Sequence, residues 1–409
     1  MTGGRSLGFS RDLDGGLLAA VVLLSAAGVL SVYSATQVDQ PALAGLWQRQ
    51  LLWVALGLLA MALGAALPFR YWEAFAWPLY LAALGLLVLV LFLPAHQRTH
   101  RWIDLGFFQA QPSELAKLAT IFLLASVSDK WRKARSFVLR YGLPIVLTAA
   151  PMALVLIEPD LGTSLSFPVI LLAVLFWRGT PLRDIFFLLS PLLSMVAVFS
   201  MPSFLVFVAV LFGAFLLFRV RFAAALPLFL LNIAIGSLSP WLWHGLKEYQ
   251  QKRILIFLNP GIDPRGSGWH VLQSKIAIGS GGLAGKGFLQ GTQKKLSFLP
   301  AQHTDFIFST IGEELGLWGV LLLLLLYGWL LYRGIQIARQ TRNRFASLAA
   351  TGIVTVIGFN VVLNIGMTLG VMPVTGIPLP FVSYGGSAVI TMLAMAGIVL
   401  GIGLRRYEY

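Results

Sequence analysis

The sequence predicts an all-α polytopic membrane protein: 10–12 transmembrane helices in a single integral-membrane domain over residues 1–409, with one large structured extracytoplasmic loop. Three observations predict it. Apolar runs near the length that crosses a hydrocarbon core recur from one end of the chain to the other. Only 11% of residues are charged and 58% are hydrophobic, well away from an ordinary soluble domain. Lys and Arg collect in alternate loops, as a fixed membrane topology requires. Cysteine is absent, which excludes disulfides and thiolate metal sites. The net charge of +14 does not point to nucleic acid, because the basic residues are dispersed among the loops between spans.

Taken in order, the runs are 15–34, 48–67, 73–94, 113–128, 143–157, 161–177, 184–200, 203–218, 222–240, 306–332, 347–370 and 386–404. The first follows Arg5 and Arg11 and reads as an uncleaved span rather than a signal peptide, since further spans follow. Those at 143–157 and 161–177 are short, which fits tilted or broken helices. Placing both termini in the cytoplasm puts 18 of the 30 basic residues in inner loops and 11 in outer ones, with Lys117 inside a span. Every short inner loop is then basic. All five His residues and the 65-residue loop 241–305 fall outside.

That loop breaks the positive-inside pattern with eight bases, Lys247, Lys252, Arg253, Arg265, Lys275, Lys286, Lys294 and Lys295. They form either a solvated face or a surface for an anionic ligand such as a lipid phosphate. Asn259-Pro-Gly261 and Asp263-Pro264 are turn signals. Asp263 therefore either folds back on its own backbone or stands beside Arg265 as a general base at a cavity mouth. Residues 269–278 carry an apolar helical stripe fit to lie on a membrane surface. The glycine-rich 279–287 is not a P-loop: Lys286 is followed by Gly287 rather than Ser or Thr. Backbone amides facing a phosphate remain open for it. Asp305, with His303, stands at a helix start, where a carboxylate is favoured whatever the function.

Ionisable residues also fall inside spans. Glu114 and Lys117, three apart after Pro112, share one helical face that must turn inward, because a lipid-facing ion is costly. Glu158 with Asp160, and Glu313 with Glu314, end or enter other spans. Each is either a packing pair or part of a polar cavity opening outward. Together they predict the cavity.

These segments resemble the SEDS family of bacterial cell-wall polymerases (shape, elongation, division and sporulation), in its rod-shape branch, RodA. The resemblance rests on Arg101-Trp-Ile-Asp-Leu-Gly106, Gln111-Pro-Ser-Glu-Leu-Ala-Lys117, Glu158-Pro-Asp-Leu-Gly-Thr-Ser164, Asp263-Pro264, Gly285-Lys-Gly287 and Gly291-Thr-Gln293. It continues through Phe298-Leu-Pro300, His303-Thr-Asp-Phe-Ile-Phe308, Gly312-Glu-Glu-Leu-Gly316, Pro373-Val-Thr-Gly-Ile-Pro-Leu-Pro-Phe381 and Ser383-Tyr-Gly-Gly-Ser387. Gly-Thr-Gln and Pro-Val-Thr-Gly-Ile-Pro-Leu-Pro favour the elongation branch over the division branch, FtsW. One departure is length: the family has ten spans and this chain reads as twelve, with a surplus hairpin near 203–240.

The resemblance implies that the protein joins lipid II, a disaccharide-peptide carried on undecaprenyl pyrophosphate, into glycan strands. It implies Asp263 as general base, Glu114 and Lys117 in the cavity, and Trp102 as the aromatic of an outer loop. Arg101, Arg265, Lys275, Lys286, His303 and Asp305 complete the candidate substrate set. No metal site is readable, although a divalent cation such as Mg²⁺ can bind through one carboxylate and substrate phosphates. The rival reading, a lipid II flippase, requires polar groups along the whole membrane path, whereas these gather in the outer half. A class B penicillin-binding protein is the implied partner, since no Ser-x-x-Lys acyltransferase pattern occurs here. Gly352, Gly358 and Gly366, with Ala388, Ala394 and Gly397, offer either a docking face for that partner's span or close packing within the bundle.

Overall fold

The computed structural model describes residues 13–37, 43–93, 101–104, 106, 108–128, 137–245, 248–258, 267–295 and 301–408. Asp263 and Arg265 lie outside the described residues. Two compact units emerge, one of residues 1–174 with 256–409 and one of residues 175–255.

The larger unit begins with α1 (Gly15–Thr36), α2 (Leu46–Ala66), α3 (Phe69–Ala74) and α4 (Ala76–Phe92). A short antiparallel pair follows, β1 (Ile103–Asp104) and β2 (Gln109–Ala110), in the register Ile103 to Ala110. Next come α5 (Pro112–Ser128), α6 (Phe137–Ile157), α7 (Leu161–Ser164) and α8 (Ser166–Trp177). The predicted run 161–177 is thus broken between α7 and α8. The smaller unit holds α9 (Leu182–Ala197), α10 (Met201–Leu217) and α11 (Phe222–Gly245), followed by α12 (Glu248–Leu258). The chain then returns with α13 (Ser267–Ser280), α14 (Thr292–Lys295), α15 (Ile307–Gln340), α16 (Arg344–Thr368) and α17 (Gly386–Leu404).

Among the described residues each of the twelve apolar runs falls largely on helix. Among the described residues, seven helices are long and apolar enough to cross a membrane, and three shorter apolar helices, Ala76–Phe92, Leu161–Trp177 and Met201–Leu217, accompany them. The hairpin read from the sequence at 203–240 falls on α10 and α11. In that unit Phe187 stacks on Phe215 at 5.3 Å. Asn232 Nδ2 donates to Ser190 Oγ, and Ser194 Oγ donates to the Asn232 carbonyl, tying α9 to α11. Interhelical polar bonds of this kind hold helices where lipid supplies no hydrophobic drive.

In the larger unit α16 and α17 form the buried centre, while α15 is largely exposed. The packing of α17 on α2 depends on missing side chains. A Cβ on Gly397 would come 2.1 Å from the Met61 carbonyl oxygen, and one on Gly401 2.8 Å from that of Ala65. Gly352 faces Ile121 and Gly366 faces Met372 in the same close manner. Gly397, Gly352 and Gly366 thus serve close packing within the bundle, the second of the two readings. A buried α13 face, Val271, Ser274 and Ala277, packs against protein, leaving Leu272 and Ile276 exposed. Ser274 Oγ donates to the Thr368 carbonyl at 2.6 Å and contacts Ser309 Oγ at 2.6 Å.

α15 is interrupted at Gly316, whose φ of 63° takes it out of helical geometry. The carbonyls of Glu313 and Glu314 would ordinarily receive the N–H groups four residues on. They accept instead from Lys286 N and Gly287 N, each at 3.0 Å, while Leu317 N and Trp318 N donate to the Gly282 and Leu283 carbonyls. The glycine-rich segment is spliced into the break. A Cβ at Gly281 would lie 2.0 Å from the Gly312 oxygen, and one at Gly285 2.1 Å from the Glu314 oxygen, so the approach is possible only for glycine. Its Lys286 and Gly287 amides are spent on α15 rather than free to face a phosphate.

Gly397→Ala should therefore push α17 off α2 and cost roughly 1–3 kcal/mol, the usual price of overpacking. Thermal unfolding of the purified protein in detergent checks this, against Gly85→Ala, where a Cβ meets nothing within 4 Å.

Candidate active site

A cavity of about 550 Å³ opens in the larger unit, within the range of small-molecule sites. Four elements build its walls. From α2 come Arg49 and Trp53; from the β1–β2 segment Arg101, Trp102 and Phe108; from α5 Glu114 and Lys117; from the α7 start Asp160 and Thr163. The turn at His303, Thr304 and Asp305, the loop Gly376–Pro378 and the beginning of α17 at Tyr384, Gly385, Gly386 and Ala388 close it.

The charged residues are held by one another. Lys117 Nζ lies 2.8 Å from Glu114 Oε1, with both side chains almost wholly buried; the second Glu114 oxygen has no hydrogen-bond partner among the described residues. Arg101 donates to the Glu158 carbonyl at 3.1 Å and to the Pro159 carbonyl, and stands 3.9 Å from Asp160. Asp160 also caps α7 by accepting from Thr163 N at 3.1 Å, Thr163 Oγ1 at 2.9 Å and Gln111 Nε2 at 3.3 Å. Glu158 is wholly buried, neither carboxylate oxygen has a partner among the described residues, and it does not line the cavity. Burial pushes its carboxyl up to about 8; Asp160 adds to the rise and Arg101 opposes it. Burial thus favours its neutral form.

The turn 301–306 is stitched to the loop before α17. Tyr384 N donates to the His303 carbonyl at 2.9 Å, Ser383 Oγ to the Thr304 carbonyl at 2.6 Å, and Asn364 Nδ2 to the Asp305 carbonyl at 2.9 Å. The His303 ring sits edge-on to Tyr384 at 5.7 Å. Burial lowers its pKa below the usual histidine value, so the imidazole is neutral at pH 7.

Of the predicted residues, Arg101, Trp102, Glu114, Lys117, His303 and Asp305 share this cavity, and Lys275 and Lys286 do not line it. Lys275 is exposed and lies against Gly370. Lys286 Nζ pairs with Glu313 Oε1 at 2.7 Å, and the same oxygen accepts from Thr292 N and Oγ1. Glu313 and Glu314 do not line this cavity and take the packing alternative: the first fastens α14 to α15, and the second accepts from Ser34 Oγ of α1. Sequence reasoning missed Arg49 and Trp53. Their signal was a charged and an aromatic residue four apart, hence on one face, at the end of a span. Among the described residues no three His, Asp or Glu side chains converge as a metal group.

Lys117→Met leaves Glu114 as an uncompensated buried acid and should cost roughly 3–5 kcal/mol. The double variant with Glu114→Gln should recover part of the loss. Thermal melts of the three proteins in detergent check both.

The sequence profile of the FtsW, RodA and SpoVE cell cycle proteins matches residues 16–209 and 200–408. The chain is 39% identical over 396 residues to the peptidoglycan glycosyltransferase MrdB of Escherichia coli K12, covering 96% of this chain and 94% of that one. A structure described as a peptidoglycan synthase complex coordinating polymerization and crosslinking superposes with a TM-score of 0.72 at 32% identity, over 97% of this chain and 99% of that one. The crystal structure of the rod shape determining protein RodA from Thermus thermophilus gives 0.64 at 31% identity, over 97% and 98%. Profile, relatives and fold agree over nearly the whole length: the chain belongs to the FtsW/RodA/SpoVE family, with its similarity to RodA proteins the basis for reading it in the SEDS group.

Proposed function

We propose that this protein is a peptidoglycan glycosyltransferase that polymerises lipid II into glycan strands at the outer face of the cytoplasmic membrane during cell elongation. The observation that carries the reading is a cavity in which Arg49, Arg101, Trp102, Glu114 and Lys117 meet, in a chain of this family. Relatives named peptidoglycan glycosyltransferase support it.

In the reaction an acceptor sugar hydroxyl attacks the anomeric carbon of the donor. The bond from that carbon to the pyrophosphate oxygen breaks, and undecaprenyl pyrophosphate leaves with the electron pair. The hydroxyl proton passes to a carboxylate, for which one positioned base suffices. Pyrophosphate needs no protonation to depart, so the second carboxylic acid of a glycosidase is unnecessary; fixed positive charge at the phosphates lowers the barrier instead. Asp263 is assigned as the base by the resemblance of Asp263-Pro-Arg265 to the family pattern.

A crosslinking partner, a class B penicillin-binding protein, accompanies the polymerase in this reading. The structure titled for coordinated polymerization and crosslinking supports it. Both termini are assigned to the cytoplasm and the 241–305 loop to the outside, on the distribution of Lys and Arg.

Asp263→Asn should abolish polymerisation of labelled lipid II, while thermal stability and membrane insertion stay as in the wild type. A variant that still makes strands at near the normal rate removes Asp263 from the chemistry. For the topology, a cysteine placed at Ser297 in this cysteine-free chain should react with an impermeant thiol reagent added to intact spheroplasts. Protection there, with labelling only after lysis, reverses the assignment.

A further inference from the structure

Arg178 and Arg183 flank the turn that leads into α9, and Arg219 and Arg221 flank the turn that leaves α10. The two turns meet at one end of the smaller unit: the Phe187 ring of α9 lies 5.3 Å from Phe215 and 6.1 Å from Phe218. Asp184 is the one acidic residue between positions 175 and 247. Arg178 is buried and donates to Thr180 Oγ1 at 3.3 Å. Arg183 reaches Asp184 through Nε at 3.3 Å, with its side chain still 52% exposed. Arg219 and Arg221 are exposed, and among the described residues their side chains make no ion pair or hydrogen bond.

The backbone at Arg219 is unusual for a residue with a side chain. One hydrogen-bond pattern ends both α8 and α10. After α8, Gly179 N donates to the Phe176 carbonyl and Thr180 N to that of Leu175; after α10, Arg219 N donates to the Leu216 carbonyl and Val220 N to that of Phe215. The left-handed position of this motif ordinarily falls to glycine, and Gly179 fills it with φ 88°. At the second turn Arg219 fills it with φ 50°, a conformation that disfavours a side chain.

Arg183 also lines a groove of about 480 Å³ between α9 and α10. The rest of its lining is apolar, with Phe186 from α9 and Val210, Gly213, Leu217 and Phe218 along α10. From Val210 to Leu217 is ~10 Å of helix, and a Cβ on Gly213 would meet nothing within 4 Å. An apolar groove alone suits any alkyl chain of a bilayer. Guanidinium groups at its end select a phosphate, as basic pockets between membrane helices do for lipid headgroups. We propose that the α9–α10 groove, with Arg183, Arg219 and Arg221 at its rim, binds an anionic diacyl phospholipid. The phosphate sits among the arginines and one acyl chain lies along Phe186, Gly213 and Phe218. On the topology assigned above, this end faces the cytoplasmic leaflet. The site lies wholly in the smaller unit and is independent of the glycosyl-transfer reading.

The test is equilibrium titration of the full-length protein in detergent with labelled dioleoylphosphatidylglycerol, and with dioleoylphosphatidylcholine carrying the same chains. Wild type should bind the anionic lipid at least ~10-fold more tightly, since each arginine near an anionic headgroup is worth roughly a factor of five. Arg219→Gly should lower that preference at least ~3-fold with a melting temperature near that of wild type, because glycine suits the turn. Arg339→Gln, which removes an equal charge from the exposed last turn of α15, should leave the preference unchanged. Gly213→Leu should fill the groove and weaken both lipids together. An Arg219→Gly protein that keeps the wild-type preference overturns the site, and so does an equal loss in Arg339→Gln. Normal binding of both lipids by Gly213→Leu removes the acyl chain from the groove and overturns it too. Glycerophosphoglycerol, the headgroup without chains, should compete only at large excess; competition at equal concentration marks a soluble-phosphate site and overturns the lipid assignment.

Discussion

A backbone in hydrocarbon has to find partners for its N–H and C=O groups inside the protein, and in this molecule that constraint is sharpest at Gly316. There α15 gives up its own ladder. The carbonyls of Glu313 and Glu314 and the amides of Leu317 and Trp318 all turn to residues 282–287. The splice uses the glycines of that segment for close approach, and Glu313 reinforces it through Lys286 and Thr292. The segment downstream of α13 is thereby fixed to a long helix rather than hung from it. Ser274, bound to Ser309 and Thr368, anchors α13 in the same way. Both ends of residues 267–295 are thus referred to the helix framework.

The same economy governs the cavity. Ions inside a membrane protein pair with one another, and here Glu114 with Lys117, and Asp160 with Arg101, do so. A site built for a polyanionic donor cannot neutralise every cation in advance. Among the described residues the Arg49 side chain has no ion-pair partner, and it shares the cavity wall with Trp53 and Phe108, whose rings stand 5.5 Å apart. Glycosyl transfer with pyrophosphate as leaving group is mainly a matter of positioning and electrostatics.

Much of this was legible in the sequence. Apolar length marks the helices; of the two short runs read as tilted or broken, 161–177 is divided between α7 and α8 and 143–157 is continuous within α6. The spacing of Glu114 and Lys117 gave their pairing directly, since three residues apart on a helix means one face. What periodicity cannot supply is the neighbour on that face. Glu313 and Glu314 read as either packing groups or cavity acids, and their partners make them fasteners for a loop and for α1. Lys286 looked like a phosphate contact and is half of a structural pair. The glycines of α16 and α17 offered two readings, partner or packing, and only the position of Met61 and Ile121 decides between them. Arg49 was passed over because a lone base at a span end is ordinary. Its meaning depends on α17, more than 330 residues away in sequence.

The central claim is that this cavity breaks the bond between a sugar and its lipid pyrophosphate while it makes a glycosidic bond. Its most direct measurement is stoichiometric: purified protein and doubly labelled lipid II, with released undecaprenyl pyrophosphate and polymerised disaccharide counted in the same reaction. Polymerase chemistry predicts one undecaprenyl pyrophosphate for each glycosidic bond formed, with glycan chains of many units. Lipid II recovered intact, or moved across a vesicle bilayer with no pyrophosphate released, would contradict it.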